Sequence, residues 1–377
     1  MLARDAIARI ANIARVAGIA VVVAMAACGG TKAKPTSEPE RATFTSTADR
    51  ILPLFPDGAQ VIVEVDLARL RANPVVGALI TQLVAGDIEI APVLPGEVAP
   101  LSLAHADTMV MASYGVGTSS AATVIVLATT PPSIAPSASD ASNAGSSSST
   151  APPNASSAGS SSSGALSQIP NAIPIAEGIV VLGPAEWTAQ VEARAAIAGV
   201  SGANTTPAIH ASKDLRDLRD HAMPAKAPGA SLRITARLPF DARVALGRAT
   251  GLDTPPAQIS IWGDVVDDMV IIVDLDASDP GDDSAKRAKG GSKSASATKR
   301  MEATLRGMLG ALANELPIRA VGLGPSLEGA ELVTRGSWVR AIIAVGPKRL
   351  ARIIDRAKTF IATPPPAEPV PAGTDAS

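Results

Sequence analysis

Two stretches decide how this chain is read: IVVLGPAEWTAQVEARA at residues 179–195 and IIAVGPKRLARIIDRA at residues 342–357. Each opens with a run of aliphatic and β-branched residues, breaks at Gly-Pro and continues at helical spacing. That is the pattern of a strand, a stop, and a helix with proline in its first turn. Their upstream neighbourhoods also match. In the first half, Gln60 to Asp66 (QVIVEVD) predicts a strand, and Leu67 to Val84 a helical segment split at Pro74. Thr108–Gly115 and Thr123–Thr129 predict two strands joined by a Gly/Ser/Thr turn. In the second half, Ser231–Leu238 alternates strictly, Asp241–Thr250 is helical, and Ala257–Gly263 with Asp268–Asp274 make a hairpin. Residues 299–315 form an amphipathic helix, and Ala320–Leu323 with Glu331–Thr334 are a further candidate hairpin.

The order strand, helix, strand, strand, spacer, strand, helix therefore occurs twice. An old duplication explains it; two independent strand–turn–helix units are the plainer alternative. The expected class is α+β, with two similar halves, mixed or antiparallel sheets and helices packed on one face. Pairing the halves edge to edge would hide strand edges that invite aggregation.

The low-complexity stretches set the boundaries. Residues 49–200 form the first half, interrupted by a Ser/Ala/Gly/Pro-rich insertion at 131–167. Such a segment buries too little apolar surface to offset its ordering entropy, so disorder is expected. A connector spans 201–229. The second half spans 230–361 with an insertion at 277–298, and a Pro-rich tail occupies 362–377.

The N-terminus reads as an address. Arg4, Arg9 and Arg15 precede an uncharged apolar run, Val16 to Ala27, and then Cys28-Gly29-Gly30. A basic region, a short apolar region and small residues make a secretory signal over residues 1–27. The apolar run is too short for a bilayer span, which needs about 20 residues. Residues 25–30, MAACGG, resemble the lipobox of bacterial lipoprotein precursors, with Met25 where Leu is usual. The resemblance implies lipidation of Cys28, cleavage before it, and a flexible lipidated tether over 28–48. It also implies a partner, the membrane, reached through the acyl chains on Cys28. Gly29 stands where Asp would retain an enteric lipoprotein at the inner membrane, which favours the outer membrane. Loss of residues 1–27 removes three Arg and one Asp, leaving a more acidic mature chain. The fatty chains, not a basic patch, are then expected to hold it. Leu52 to Leu79 loosely resembles the opening of uncharacterised bacterial envelope proteins, which implies a strand-then-helix start and no functional residues.

Composition excludes several classes. Lys plus Arg number 33 against 35 Asp plus Glu, which argues against nucleic acid as a partner. One cysteine excludes an intrachain disulfide and any zinc site of several cysteines. Aromatics at 2% leave few stacking platforms for sugars, so Trp187, Trp262 and Trp338 are read as core or rim residues, with a shared platform as the alternative. No HExxH, G-x-S-x-G or Walker motif occurs, and Gly115-Val116-Gly117 reads as a hairpin turn. No cofactor is implied.

One constellation carries candidate chemistry. On a continuous helix His210, Asp214, Asp217 and His221 share a face, and two imidazoles with two carboxylates are a zinc ligand set. Against it, Ser212 looks like an N-cap, which would put His210 outside the helix, and Arg216 and Arg219 compete for the carboxylates. The plainer reading is a connecting helix whose Leu215 and Leu218 touch the core. Acids cluster from Asp264 to Asp283, and the stretch DLDASDPGDD at 274–283 resembles a calcium loop, but Asp279 comes one residue late and the distal Glu is missing, so a turn with a charged spacer is the plainer reading.

These observations point to a lipid-anchored envelope protein that binds or scaffolds another envelope protein without catalysis. A hydrolase using Asp or Glu, and a carrier of a small apolar ligand, are the alternatives.

Overall fold

The computed structural model describes residues 46–85, 103–129, 172–198, 213–225, 229–250, 255–278 and 291–362. Cys28, His210, the insertion 131–167 and the tail beyond Ala362 lie outside these. The strands are β1 (Val61–Asp66), β2 (Thr108–Tyr114), β3 (Ala122–Ala128), β4 (Ile173–Ala176), β5 (Ile179–Leu182), β6 (Leu232–Arg237), β7 (Gln258–Val265), β8 (Met269–Asp276), β9 (Glu331–Arg335) and β10 (Trp338–Val345). The helices are α1 (Thr47–Ile51), α2 (Leu67–Ala72), α3 (Gly77–Ala85), α4 (Ala185–Ala198), α5 (Lys213–His221), α6 (Phe240–Thr250), α7 (Gly291–Asn314), α8 (Leu316–Val321), α9 (Gly324–Glu328) and α10 (Pro347–Ala362).

The protein has the expected α+β architecture. All ten strands join one antiparallel sheet in the order β4-β5-β3-β2-β1-β6-β7-β8-β10-β9. Read outward from the centre, each half repeats the same strand order. The halves meet at β1 and β6, where Val61 pairs with Ala236, Val63 with Ile234 and Glu64 with Arg233. The outer edges are β4 and β9, both short; β4 carries Pro174, and β9 is mostly exposed and ends on Arg335. Short, proline-bearing or charged edges discourage pairing with further chains.

Helices cover both faces of the sheet, not one. Val61, Val63 and Val65 of β1 with Leu232, Ile234 and Ala236 of β6 face a large core that includes residues of α2, α3, α7, α8, α9 and α10. Ile62, Val110, Ala112, Val124 and Val126 face the opposite way, against α1 and α4. The reason is visible in β2 and β3, where every residue is buried. Strands apolar at successive positions need cover on both sides. The repeat is broken here, because α4 and α10 follow equivalent strands yet pack on opposite faces.

Three local readings change. Residues 320–323 are not a strand, because Leu316–Val321 and Gly324–Glu328 are short helices with Pro317 and Pro325 at their starts and Gly322 in the left-handed region between them. A short apolar run does not by itself separate strand from buried helix. The hairpin is instead β9 with β10, turning at Gly336. In the first half its counterpart is β4 with β5, turning at Gly178; Pro174 had hidden β4 as a strand. Helix α7 starts at Gly291, inside the expected insertion 277–298, and Thr298 is already buried.

One buried residue locks the first half onto the second. Asn73 donates from Nδ2 to the carbonyls of Val265 (3.2 Å) and Val266 (2.7 Å) at the β7–β8 turn. Its Oδ1 accepts from the backbone N–H groups of Val75 and Val76. Asn73→Ala orphans these groups and is expected to cost about 2 kcal/mol, read from the urea midpoint at constant m.

Candidate functional site

The second half presents a polar face where the first half presents an apolar one. Rows of cross-strand neighbours define it. Glu64, Arg233, Trp262, Ile272 and Ile342 lie side by side across β1, β6, β7, β8 and β10. The next row is Thr235, Ser260, Asp274 and Arg340, and the next Arg237, Gln258, Asp276 and Trp338. In the described residues α5 packs on this area, with Leu218 and Ala222 buried. Trp262, Ile272 and Ala222 form a small apolar cluster beneath it.

Asp274 is the centre of the polar face and is 1% exposed. Arg340, directly opposite on β10, grips it with Nε to Oδ1 at 2.7 Å and Nη2 to Oδ2 at 2.6 Å. Nδ1 of His221, at the end of α5, lies 2.7 Å from Oδ2. The imidazole stacks on Trp338 with centroids 3.9 Å apart. Arg340 also donates to the His221 carbonyl at 2.9 Å, so one guanidinium holds both the acid and the helix end. Burial pushes the Asp274 carboxyl up, but the hydrogen bonds from Arg340 and His221 and their charges outweigh it, leaving it below its ordinary value. A depressed acid favours folding above its unfolded pKa of 3.8, and that contribution is lost as pH falls through the lower folded value. The stability gap between wild type and Asp274→Asn should therefore be constant at neutral pH and close below about pH 3.8, checked by urea unfolding from pH 6 to about pH 2.

A second charged group sits at the seam between the halves. Glu64, 5% exposed, accepts two 2.6 Å hydrogen bonds from Arg219 of α5. Arg219 also pairs with Asp49 of α1 at 2.8 Å. Burial alone would lower the Arg219 guanidinium, but Glu64 and Asp49 raise it. Burial lowers the neighbouring Arg233, and Arg219 lowers it further. Asp264 of β7 takes a bidentate pair from Arg69 at 2.7 and 2.6 Å and a hydrogen bond from Ser231 at 2.9 Å. These groups border a cavity of about 250 Å3 lined by Glu64, Asp66, Arg69, Arg219 and Arg233. Asp66 caps α2 by accepting from the Arg69 N–H, and burial pushes its carboxyl up.

Of the zinc set, His221 is committed to Asp274 and Trp338, and Asp217 is exposed on α5. Asp214 lies in α5, and His210 is outside the described residues. Among the described residues no three His, Cys, Asp or Glu side chains gather as a metal site. In the acidic stretch, Asp264 and Asp274 face arginines, Asp276 accepts from Ser278, and residues 279, 282 and 283 lie outside the described set. The tryptophans are not one platform. Trp187 stacks on Tyr114 in the first half at 4.0 Å, Trp262 is buried and donates to the Gly229 carbonyl, and Trp338 holds His221.

Sequence reading missed Glu64, Arg219 and Arg340 as a set. For Glu64 and Arg340 the signal was a charge inside a strand otherwise apolar, as in VIVEVD and WVRAIIAV, whereas Arg219 lies on helix α5. A charge at such a position needs a partner, but the partner's identity is a tertiary fact.

No protein-family model and no curated protein matches the chain. Among solved structures, crystal form I of TP0453 superposes with a TM-score of 0.33 and 9% identity, covering 80% of this chain and 95% of that one. Crystal form III gives 0.34, 9%, 80% and 96%. Likeness at that level carries no argument about fold or function.

Proposed function

We propose that this is a lipid-anchored envelope protein, attached through acyl chains on Cys28 with the outer membrane favoured, and that it works as a non-catalytic binding or scaffolding module for another envelope protein. The observation that supports binding over catalysis is the condition of the buried carboxylates. Glu64, Asp264, Asp274 and Asp276 are the buried acids among the described residues. Each is engaged, by Arg219, Arg69, Arg340 and Ser278 respectively. An acid-dependent hydrolase needs a carboxyl poised to exchange its proton, and arginine pairing works against that. The two cavities with charged walls, at the seam and beside α10, also suit an apolar cargo poorly. The part-exposed Trp338, His221 and Arg340 form an aromatic and cationic patch of the kind enriched in protein interfaces. No described helix is long and apolar enough to cross a membrane.

Metabolic labelling with a palmitate analogue tests the anchor. Label is expected in the wild type and lost in Cys28→Ala; label retained in the variant would overturn it. Photo-cross-linking from Arg335, exposed beside Trp338 on β9, tests the module. One envelope protein should be captured by the wild type and not by Trp338→Ala. Capture equal in both, or none, would move the hydrolase and carrier readings ahead.

A further inference from the structure

Among the described residues several arginines are matched to acids, and four that are not gather in one place. Arg69, Arg71, Arg194, Arg219, Arg233 and Arg340 each have a carboxylate partner within 4.0 Å. Arg319, Arg349, Arg352 and Arg356 instead line one cavity of about 510 Å3, walled by α8, α9, α10 and the end of α7. Among the described residues none of these four makes an ion pair, and Glu328 is the one carboxylate in the wall.

The sequence builds this wall deliberately on one helix. Arg349, Arg352 and Arg356 follow the i, i+3, i+7 spacing of a single helical face, while Leu350 and Ile354 are buried in the core. Arg349 is held by a hydrogen bond to the hydroxyl of Ser326, itself buried on α9, at 3.1 Å. Arg352 is steadied by its Nε donating to the Lys348 carbonyl at 3.2 Å. Arg356 lies over Gly322, where a Cβ would come within 2.8 Å of its Nη1. Gly322 has φ +86 and caps α8, so glycine both makes the turn and leaves room for the guanidinium.

Four guanidinium groups around one concavity repel each other, and one glutamate does not balance them. A bound anion would. Guanidinium forks match phosphate oxygens two at a time, which a compact ammonium does not do. The cavity is also large beside the roughly 30 Å3 share of a water molecule, so it has room for more than one oxyanion. We infer that the groove between α8, α9 and α10 binds a phosphate-bearing anion carrying two or more negative charges. The site lies on the face of the sheet opposite the His221–Asp274 patch, and it does not depend on the lipidation of Cys28 or on a protein partner.

The test is calorimetric titration of the full-length protein in a neutral detergent. The probes are inorganic pyrophosphate and, separately, short-chain dihexanoyl phosphatidic acid, with dihexanoyl phosphatidylcholine as the zwitterionic control. Saturable binding of a phosphate probe is expected, weakening steeply with salt. Arg352→Ser with Arg356→Ser should lower the affinity by about tenfold or more, since two charge-assisted contacts are lost. Both residues are exposed, so the variant should keep its unfolding transition; single Arg356→Gln, with a smaller loss, guards against a folding artefact. Lys358→Ser, exposed on the same helix but outside the wall, should leave binding unchanged. Tighter binding of phosphatidic acid than of pyrophosphate would identify a lipid headgroup as the source, and the reverse a free phosphate compound. Absence of saturable binding to both phosphate probes, or equal binding by the double variant, would overturn the inference.

Discussion

Glu64→Ala is expected to destabilise the protein by about 3–5 kcal/mol, the usual cost of removing one partner from a buried ion pair. Glu64 lies in the central strand β1 beside the seam, with 6% of its side chain exposed, and Arg219 keeps 11%. Removing the carboxylate leaves Arg219 with Asp49 alone and sets its charge beside Arg233, which is directly opposite Glu64 on β6. Two guanidinium groups would then share a low-dielectric site with one acid fewer. The measurement is urea unfolding of Glu64→Ala, Arg219→Ala and the double variant. Strong coupling is expected, with the double variant much less destabilised than the sum of the singles. A combined Glu64→Leu and Arg219→Met exchange should recover most of the loss, because the ion pair is costly to break but not required if both charges go. A loss under about 1 kcal/mol in Glu64→Ala would mean that Arg219 escapes to water and that the seam is held by strand pairing alone.

Gly117→Ala should cost about 3 kcal/mol, a sum of backbone strain and steric displacement. Gly117 sits in the β2–β3 turn of the first half with φ +87. A Cβ there would lie 2.8 Å from both N and Cα of Ala242 in α6 of the second half. Backbone atoms do not rotate away as a side-chain tip does, so either the turn or the helix must move. Gly58→Ala is the internal control. Gly58 has the same φ of +87, but nothing lies within 4 Å of the added methyl. It should show the conformational cost alone, about 1 kcal/mol. The difference between the two variants measures how tightly the first-half turn docks on the second half. Equal losses would mean that this contact between halves contributes little.

The larger elements were legible because their signals are local. Strict alternation in SLRITARL and the Gly-Pro break after IVVL and IIAV marked β6, β5 and β10 at nearly their observed limits. Pro74 marked the split between α2 and α3. The failures were also local. Pro174 masked an edge strand, and the apolar run Ala320–Leu323 was read as a hairpin strand where two short helices meet around the left-handed Gly322. The start of α7 was lost inside a stretch whose composition resembles a linker.

The candidate sites were less legible, because each depends on residues far apart in the chain. His221 was singled out for its helical spacing to Asp217, yet its partner is Asp274, 53 residues away. Arg69 and Asp264 are 195 residues apart, and Arg219 and Glu64 155. By itself the sequence determined the α+β class, the doubled order of elements and the limits of most strands, since hydrophobic period and turn residues act over a few residues. Only the tertiary structure decided that β1 and β6 join the halves into one sheet, that α4 and α10 pack on opposite faces, and which arginines find an acid. Those outcomes depend on which apolar faces and which charges meet across long loops, where burial and pairing act between segments that carry no local record of each other.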